Sequence, residues 1–117
     1  MVTNDDSILV SIKSLLGSSI DDNDFDQDIT ILINGALFAL QQLGVGPSTG
    51  FSISSEAEKW SDLLGTRADL NAVHTYVYLK VRLVFDPPAN SFLVKAIEDQ
   101  IKELDVRLNI QAEGGTT

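Results

Sequence analysis

Val73-His74-Thr75-Tyr76-Val77-Tyr78-Leu79-Lys80-Val81-Arg82-Leu83-Val84-Phe85-Asp86-Pro87-Pro88 is the stretch on which the fold turns. Val77, Leu79, Val81, Leu83 and Phe85 alternate with Tyr78, Lys80 and Arg82, a period-two pattern in residues that favour strands. Wound as a helix at about 100° per residue, the stretch from Leu70 to Phe85 gathers Asn71, His74, Thr75, Tyr78 and Arg82 into one polar arc and is apolar around the rest. Both patterns fit. Helix is preferred because no partner strand is visible elsewhere, and a lone strand leaves its backbone groups unsatisfied. Asp86-Pro87-Pro88 ends the element either way, since two donors are lost and helical geometry is disfavoured at Asp86.

The flanking segments read more simply. Downstream, Asn90 or Ser91 caps a helix with Leu93, Ile97, Ile101, Leu104 and Leu108 on one face and the i, i+4 pairs Glu98–Lys102 and Glu103–Arg107 on the other. Gln111 to Thr117 reads as a mobile tail, so the chain divides into one helical domain over 1–110 and a flexible tail over 111–117. Upstream, Ser55 and Glu58 form an S-x-x-E capping box before a short helix carrying Trp60, Leu63 and Leu64, stopped by Gly65. Gly44 to Ile53 holds three glycines and a proline in its first seven residues and reads as a long exposed loop. Before it, Asp21-Asp22-Asn23-Asp24 caps a helix with Phe25, Ile29, Leu32, Ile33, Ala36, Leu40 and Leu43 on one stripe. Ile31, Leu37 and Phe38 fall off that stripe, so this helix needs cover from more than one neighbour. Asp5 and Asp6 precede a first helix with Ile8, Leu9, Ile12, Leu15 and Leu16 inward and Gly17 at its end. The expected fold is all-α, a small bundle of about five helices.

Composition narrows the function. A chain of 117 residues with 44% hydrophobic and 21% charged residues suits one small domain with little stability to spare, to which oligomerisation would add. Its net charge of -9 has the wrong sign for gripping phosphates, and seven of the acids lie in the first thirty residues. There is no cysteine for a disulfide framework or thiolate zinc. The acidic start of the chain does not suit a signal peptide, and no apolar run reaches the roughly 20 residues of a membrane span, so a soluble protein made in the cytoplasm is expected.

Candidate chemistry is thin. Gly46-Pro47-Ser48-Thr49-Gly50 matches G-x-S-x-G, but no strand precedes it and only His74 could serve Ser48 as base. Asp22, Asp24, Asp26 and Asp28 resemble a calcium loop until register is checked: Gln27 and Ile33 stand where Gly and Glu are required. His74 is the only histidine, so no transition-metal set exists, and its expected place is the polar face of the fourth helix. Lys80 projects into the apolar arc, where its stem must snorkel or its ammonium must meet a carboxylate of this chain or a neighbouring copy. Trp60 reads as a core anchor or an interface residue. No catalytic pair and no cofactor cradle emerge, which leaves an acidic helical interaction module.

Val73 to Pro88, Ser91-Phe92-Leu93 with the helix to Leu108, Leu40-Gln41-Gln42-Leu43-Gly44-Val45-Gly46, and Glu58-Lys59-Trp60-Ser61-Asp62-Leu63-Leu64 together resemble the tailed-bacteriophage head-tail connector family, over about residues 5 to 110. The resemblance implies a virion protein of the neck, a helical adaptor whose copies, about twelve, form a closed ring on the portal protein, extend the DNA channel and dock a stopper or tail. DNA would pass through without specific binding, and helix is favoured over strand for residues 70–85. It makes Trp60, Tyr76, Tyr78, Lys80, Arg82, Phe85 and Asp86 candidates for subunit or core interfaces, and Leu108, Asn109 and Ile110 candidates for the portal contact. The loop at 44–54 becomes a candidate for a lumen or downstream contact. Rival readings are a stopper or tail-completion protein of the same neck, a DNA-binding helical module, which lacks its basic helix, and a small enzyme, which lacks convergent titratable residues.

Overall fold

The computed structural model describes residues 7–17, 24–47, 49–65 and 72–114. Five helices follow in order: α1 (Ile8–Leu15), α2 (Asp26–Gln42), α3 (Trp60–Leu64), α4 (Ala72–Phe85) and α5 (Ser91–Gly114). Residues 72–85 are helical, as the sequence reading preferred, and the described residues form no sheet. The reason is coverage. α4 packs along α2 on one side and α5 on another, with α1 against both α2 and α4, so Val73, Tyr76, Val77, Leu79 and Val81 all leave water. A helix keeps its hydrogen bonds internal while being covered on several sides, which a lone strand cannot do.

The ends of the helices show where local signals held and where they moved. Asn90 caps α5, its Oδ1 accepting from Phe92 N–H at 2.7 Å. Gly44 ends α2: Val45 N–H reaches Leu40 C=O at 2.9 Å and Gly44 N–H reaches Gln41 C=O at 3.0 Å, with Gly44 at φ +90°, the left-handed geometry of a Schellman turn. Asp5, Asp6 and Asp21 to Asn23, expected as caps, lie outside the described residues. Ser7 caps α1 instead, accepting from Val10 N–H at 3.3 Å while donating to Glu56 C=O at 2.8 Å. The Ser55–Glu58 box does not cap α3, which begins at Trp60 and whose Lys59 N–H is taken by Asp62 at 3.0 Å. Glu58 instead closes a turn on Ser54 and Ser55. Burial opposes its ionisation, but the backbone and side-chain hydrogen bonds prevail and hold its carboxyl below the usual value. That turn receives Ile8 N–H on Glu58 C=O at 3.1 Å, tying α1 to it.

Three expectations change with tertiary structure. The segment after α2 is not simply exposed: Val45 and Ile53 are buried, and Asn34 on α2 holds Ile53 by both backbone groups, at 2.7 and 2.9 Å. Close packing there excludes a side chain at Gly46, where a Cβ would stand 2.8 Å from Leu63 and φ is +89°. On α1, Leu15 is exposed and Lys13 buried, because the Lys13 ammonium pairs with Asp26 of α2 at 2.8 Å. Finally, the last helix continues to Gly114 past the expected boundary at Ile110. Ala112 is buried there against the α2 end turn, 3.6 Å from the Cβ position of Gly44, a contact that favours continuing the helix past Ile110.

Two substitutions test these anchors by chemical denaturation. Asn34→Ala leaves the N–H and C=O of Ile53 unpaired and is expected to cost about 2 kcal/mol. Lys13→Met strands the partly exposed Asp26 carboxylate and is expected to cost about 2–4 kcal/mol, most of it recovered when Asp26→Leu is added.

Candidate functional site

Chemistry in this chain concentrates where α4 meets its neighbours. Tyr76, almost wholly buried, faces α5, where its hydroxyl hydrogen-bonds to Asp105. Burial raises the Tyr76 hydroxyl well above its ordinary pKa, and the hydrogen bond to Asp105 and that carboxylate's charge push the same way. Lys80, one turn on, lies half-buried with its ammonium over the Tyr76 ring, 5.5 Å from the centroid. The stem therefore snorkels along α4 and the charge rests on an aromatic face, a contact worth about 0.5–2 kcal/mol. Arg82 donates to the Tyr78 hydroxyl at 3.2 Å, one turn apart on α4. No carboxylate of the described residues pairs with Lys80 or Arg82.

Trp60 is a core residue: it is buried, and its Nε1–H donates to Ser11 Oγ on α1 at 2.8 Å. His74 does not simply face water on the polar side of α4. Its ring stacks on Trp60 with centroids 4.1 Å apart and 21° between planes. Phe85 meets Phe25 edge to face at 5.5 Å, joining the end of α4 to the start of α2. Asp86 stands exposed at the turn into Pro87 and Pro88.

Near the end of α5 the three neighbouring candidates separate. Leu108 is fully buried in the core, and Asn109 Nδ2 donates to Leu43 C=O at 3.0 Å, which fixes α5 to the α2 end turn. Ile110 is exposed, as is Val106 one turn earlier. Ridges of this kind recur. Ile31 and Phe38 stand exposed on α2, and Phe92 with Leu93 at the start of α5. The seam between α4 and α5 is an open groove of 410 Å³ lined by Lys80, Leu83, Val84, Glu98, Ile101 and Lys102. Ile31, Phe38 and Lys102 were not singled out as site residues by sequence reasoning. The first two carried the signal that found them in outline, apolar positions off the inward stripe of α2, while Lys102 looked like half of a surface ion pair.

Nothing here assembles catalytic or metal chemistry among the described residues. Ser48 and Asp22 lie outside them. Asp24, Asp26 and Asp28 stand at the start of α2, where the helix dipole favours acids, and Asp26 is taken by Lys13. No group of three or more metal-ligating side chains comes together, and no described helix is long and apolar enough to cross a membrane. What the geometry offers is surface: apolar ridges on α2 and α5, and a groove edged by two ammonium groups.

A family model described as "Phage connector protein" matches residues 8–115, which takes in all five helices. No curated protein and no solved structure gives a significant match.

The chain has two tyrosines, so alkaline absorbance titration of wild type beside Tyr76→Phe isolates the Tyr76 signal. Its raised pKa means that the folded state holds the proton longer than the unfolded state. The stability it contributes is complete below the ordinary tyrosine value of about 10 and is lost as pH rises above it. The Tyr76 signal is expected only as the fold melts at high pH, and Tyr76→Phe is expected to remove that component of the titration.

Proposed function

Since the chain belongs to the phage connector protein family, structural proteins of the virion neck that associate with other head and tail proteins, we propose that it is a head-tail adaptor. About twelve copies close into a ring on the portal vertex, extend the DNA channel and dock the stopper or tail. The family match across residues 8–115 carries this reading.

The surface chemistry supports it. A monomer with ridges at Ile31 and Phe38 on α2 and at Val106 and Ile110 on α5 has apolar area on more than one helix, and burial of such area drives association. Cyclic rings need two different adhesive faces on each copy, which these helices supply. A net charge of -9 lets a channel wall repel DNA phosphates rather than hold them. Within this proposal the portal contact falls to Ile110, the exposed member of the Leu108–Ile110 set, while Leu108 and Asn109 keep the helix in place. The turn at 49–52 between the anchors Val45 and Ile53 is left for the lumen or the downstream partner.

Native mass spectrometry of the chain, alone and mixed with portal protein from the same phage, tests the proposal. The expected result is a portal-bound mass of about one copy per portal subunit, whether or not the free chain is monomeric. A monomer throughout, with no portal binding at tens of micromolar, would instead assign the chain to the stopper or tail-completion side of the neck.

A further inference from the structure

We infer that neighbouring copies join by seating the outward ridge of α2, Ile31 and Phe38, in the open seam between α4 and α5 of the next copy. The inference rests on the ring reading and names its interface.

The ridge is a built feature of α2. Ile31 and Phe38 are seven residues apart, so they project within about 20° of each other, about 10 Å apart along the axis. Leu40 and Ile33, which enter the core, project from the opposite side. Ile31 and Phe38 are 61% and 59% exposed. Gly35 lies between them, and a Cβ there would meet nothing within 4 Å, so the ridge dips and a partner can approach the backbone of α2 closely. Because this face points away from the α2–α4 contact, the chain cannot bury it against its own core.

The seam supplies the complement. Leu83, Val84 and Ile101 give it an apolar floor of which Val84 is 67% exposed, and the 410 Å³ opening is large enough to admit an aromatic ring. Charge then selects the occupant. From Asp24 to Gln42 the chain carries no base, and although Asp26 is taken by Lys13, the start of α2 keeps an acidic character through Asp24 and Asp28. Of the groups edging the seam, Lys80 and Lys102 outnumber Glu98. Packing α2 against α2 would bring no base to Asp24 or Asp28, whereas packing α2 into the seam of another copy offers them Lys80 and Lys102. Both complementary surfaces belong to one chain, they differ from each other, and neither can be satisfied within a single copy. Those are the requirements of a head-to-tail contact between identical subunits.

The absence of cysteine makes the contact directly testable. Single variants F38C and V84C are oxidised separately and as a mixture, with portal protein from the same phage present, and F38D is assayed beside wild type by native mass spectrometry. Thermal melting confirms that F38D, altered at an exposed position, remains folded. The expected result is a disulfide-linked dimer in the mixture and in neither variant alone, a ladder of linked species from the F38C/V84C double variant, and at least about tenfold weaker assembly of F38D. Assembly untouched by F38D, or self-linking of F38C, would overturn the interface while leaving the ring reading intact. Loss of assembly in F38D without any F38C–V84C link would remove the seam as the acceptor. Failure of wild type to assemble or to bind portal would overturn the ring reading itself, and this inference with it.

Discussion

Val73, Tyr76, Val77, Leu79 and Val81 of α4 all leave water, and the rest of the structure follows from covering them. Each large side chain moved from water into that core contributes about 1.5–3 kcal/mol, provided that it is enclosed on every side. α2 closes one side of α4 and α5 another, while α1 and the residues around Trp60 add to the same core. The Asp86-Pro87-Pro88 turn is what lets α5 fold back onto α4 instead of prolonging it.

Polar groups are then placed where this packing permits them. Tyr76 keeps its hydroxyl satisfied by reaching Asp105, and Lys80 keeps its charge at the edge of the core by resting on the same ring. Lys13 is the costlier case, an ammonium withdrawn from water and matched by the Asp26 carboxylate. Asn34 does for the segment after α2 what a neighbouring strand would do, offering a donor and an acceptor to Ile53 at once. Such contacts contribute modestly to net stability but exclude alternative arrangements, because a slipped packing would leave buried groups unpaired.

A small domain organised around the buried face of one helix cannot also hide the outer faces of the helices that cover it. Ile31 and Phe38 on α2 and Val106 and Ile110 on α5 are the residue of that constraint, apolar side chains with no inward direction left. The chain belongs to the phage connector protein family, and in the proposed ring such surfaces would lie between subunits and partners. Burying these ridges on association would add to the stability of a small domain that has little to spare.

Helix was legible over residues 26–42 and 91–108 because apolar spacing, the Gly44 stop of the first and the Asn90 cap of the second act within a few residues of one another. For residues 73–85 two periods competed, and the sequence alone determined only that the segment was apolar and ended at Asp86; the presence of α2 and α5 on separate sides decided for helix. The apolar positions of α2 off its stripe were visible too, but which of them would be covered was not: Leu37 went inward, Ile31 and Phe38 outward. Unreadable altogether were Lys13 with Asp26, Ser7 with Glu56, Asn34 with Ile53, and the continuation of α5 through Ala112. In each, the partner is distant along the chain, and no local periodicity or capping rule encodes it. Propensity and pattern set the helices because their hydrogen bonds are local; tertiary structure set the buried pairs and the exposed ridges, because desolvation depends on what the remainder of the fold brings alongside.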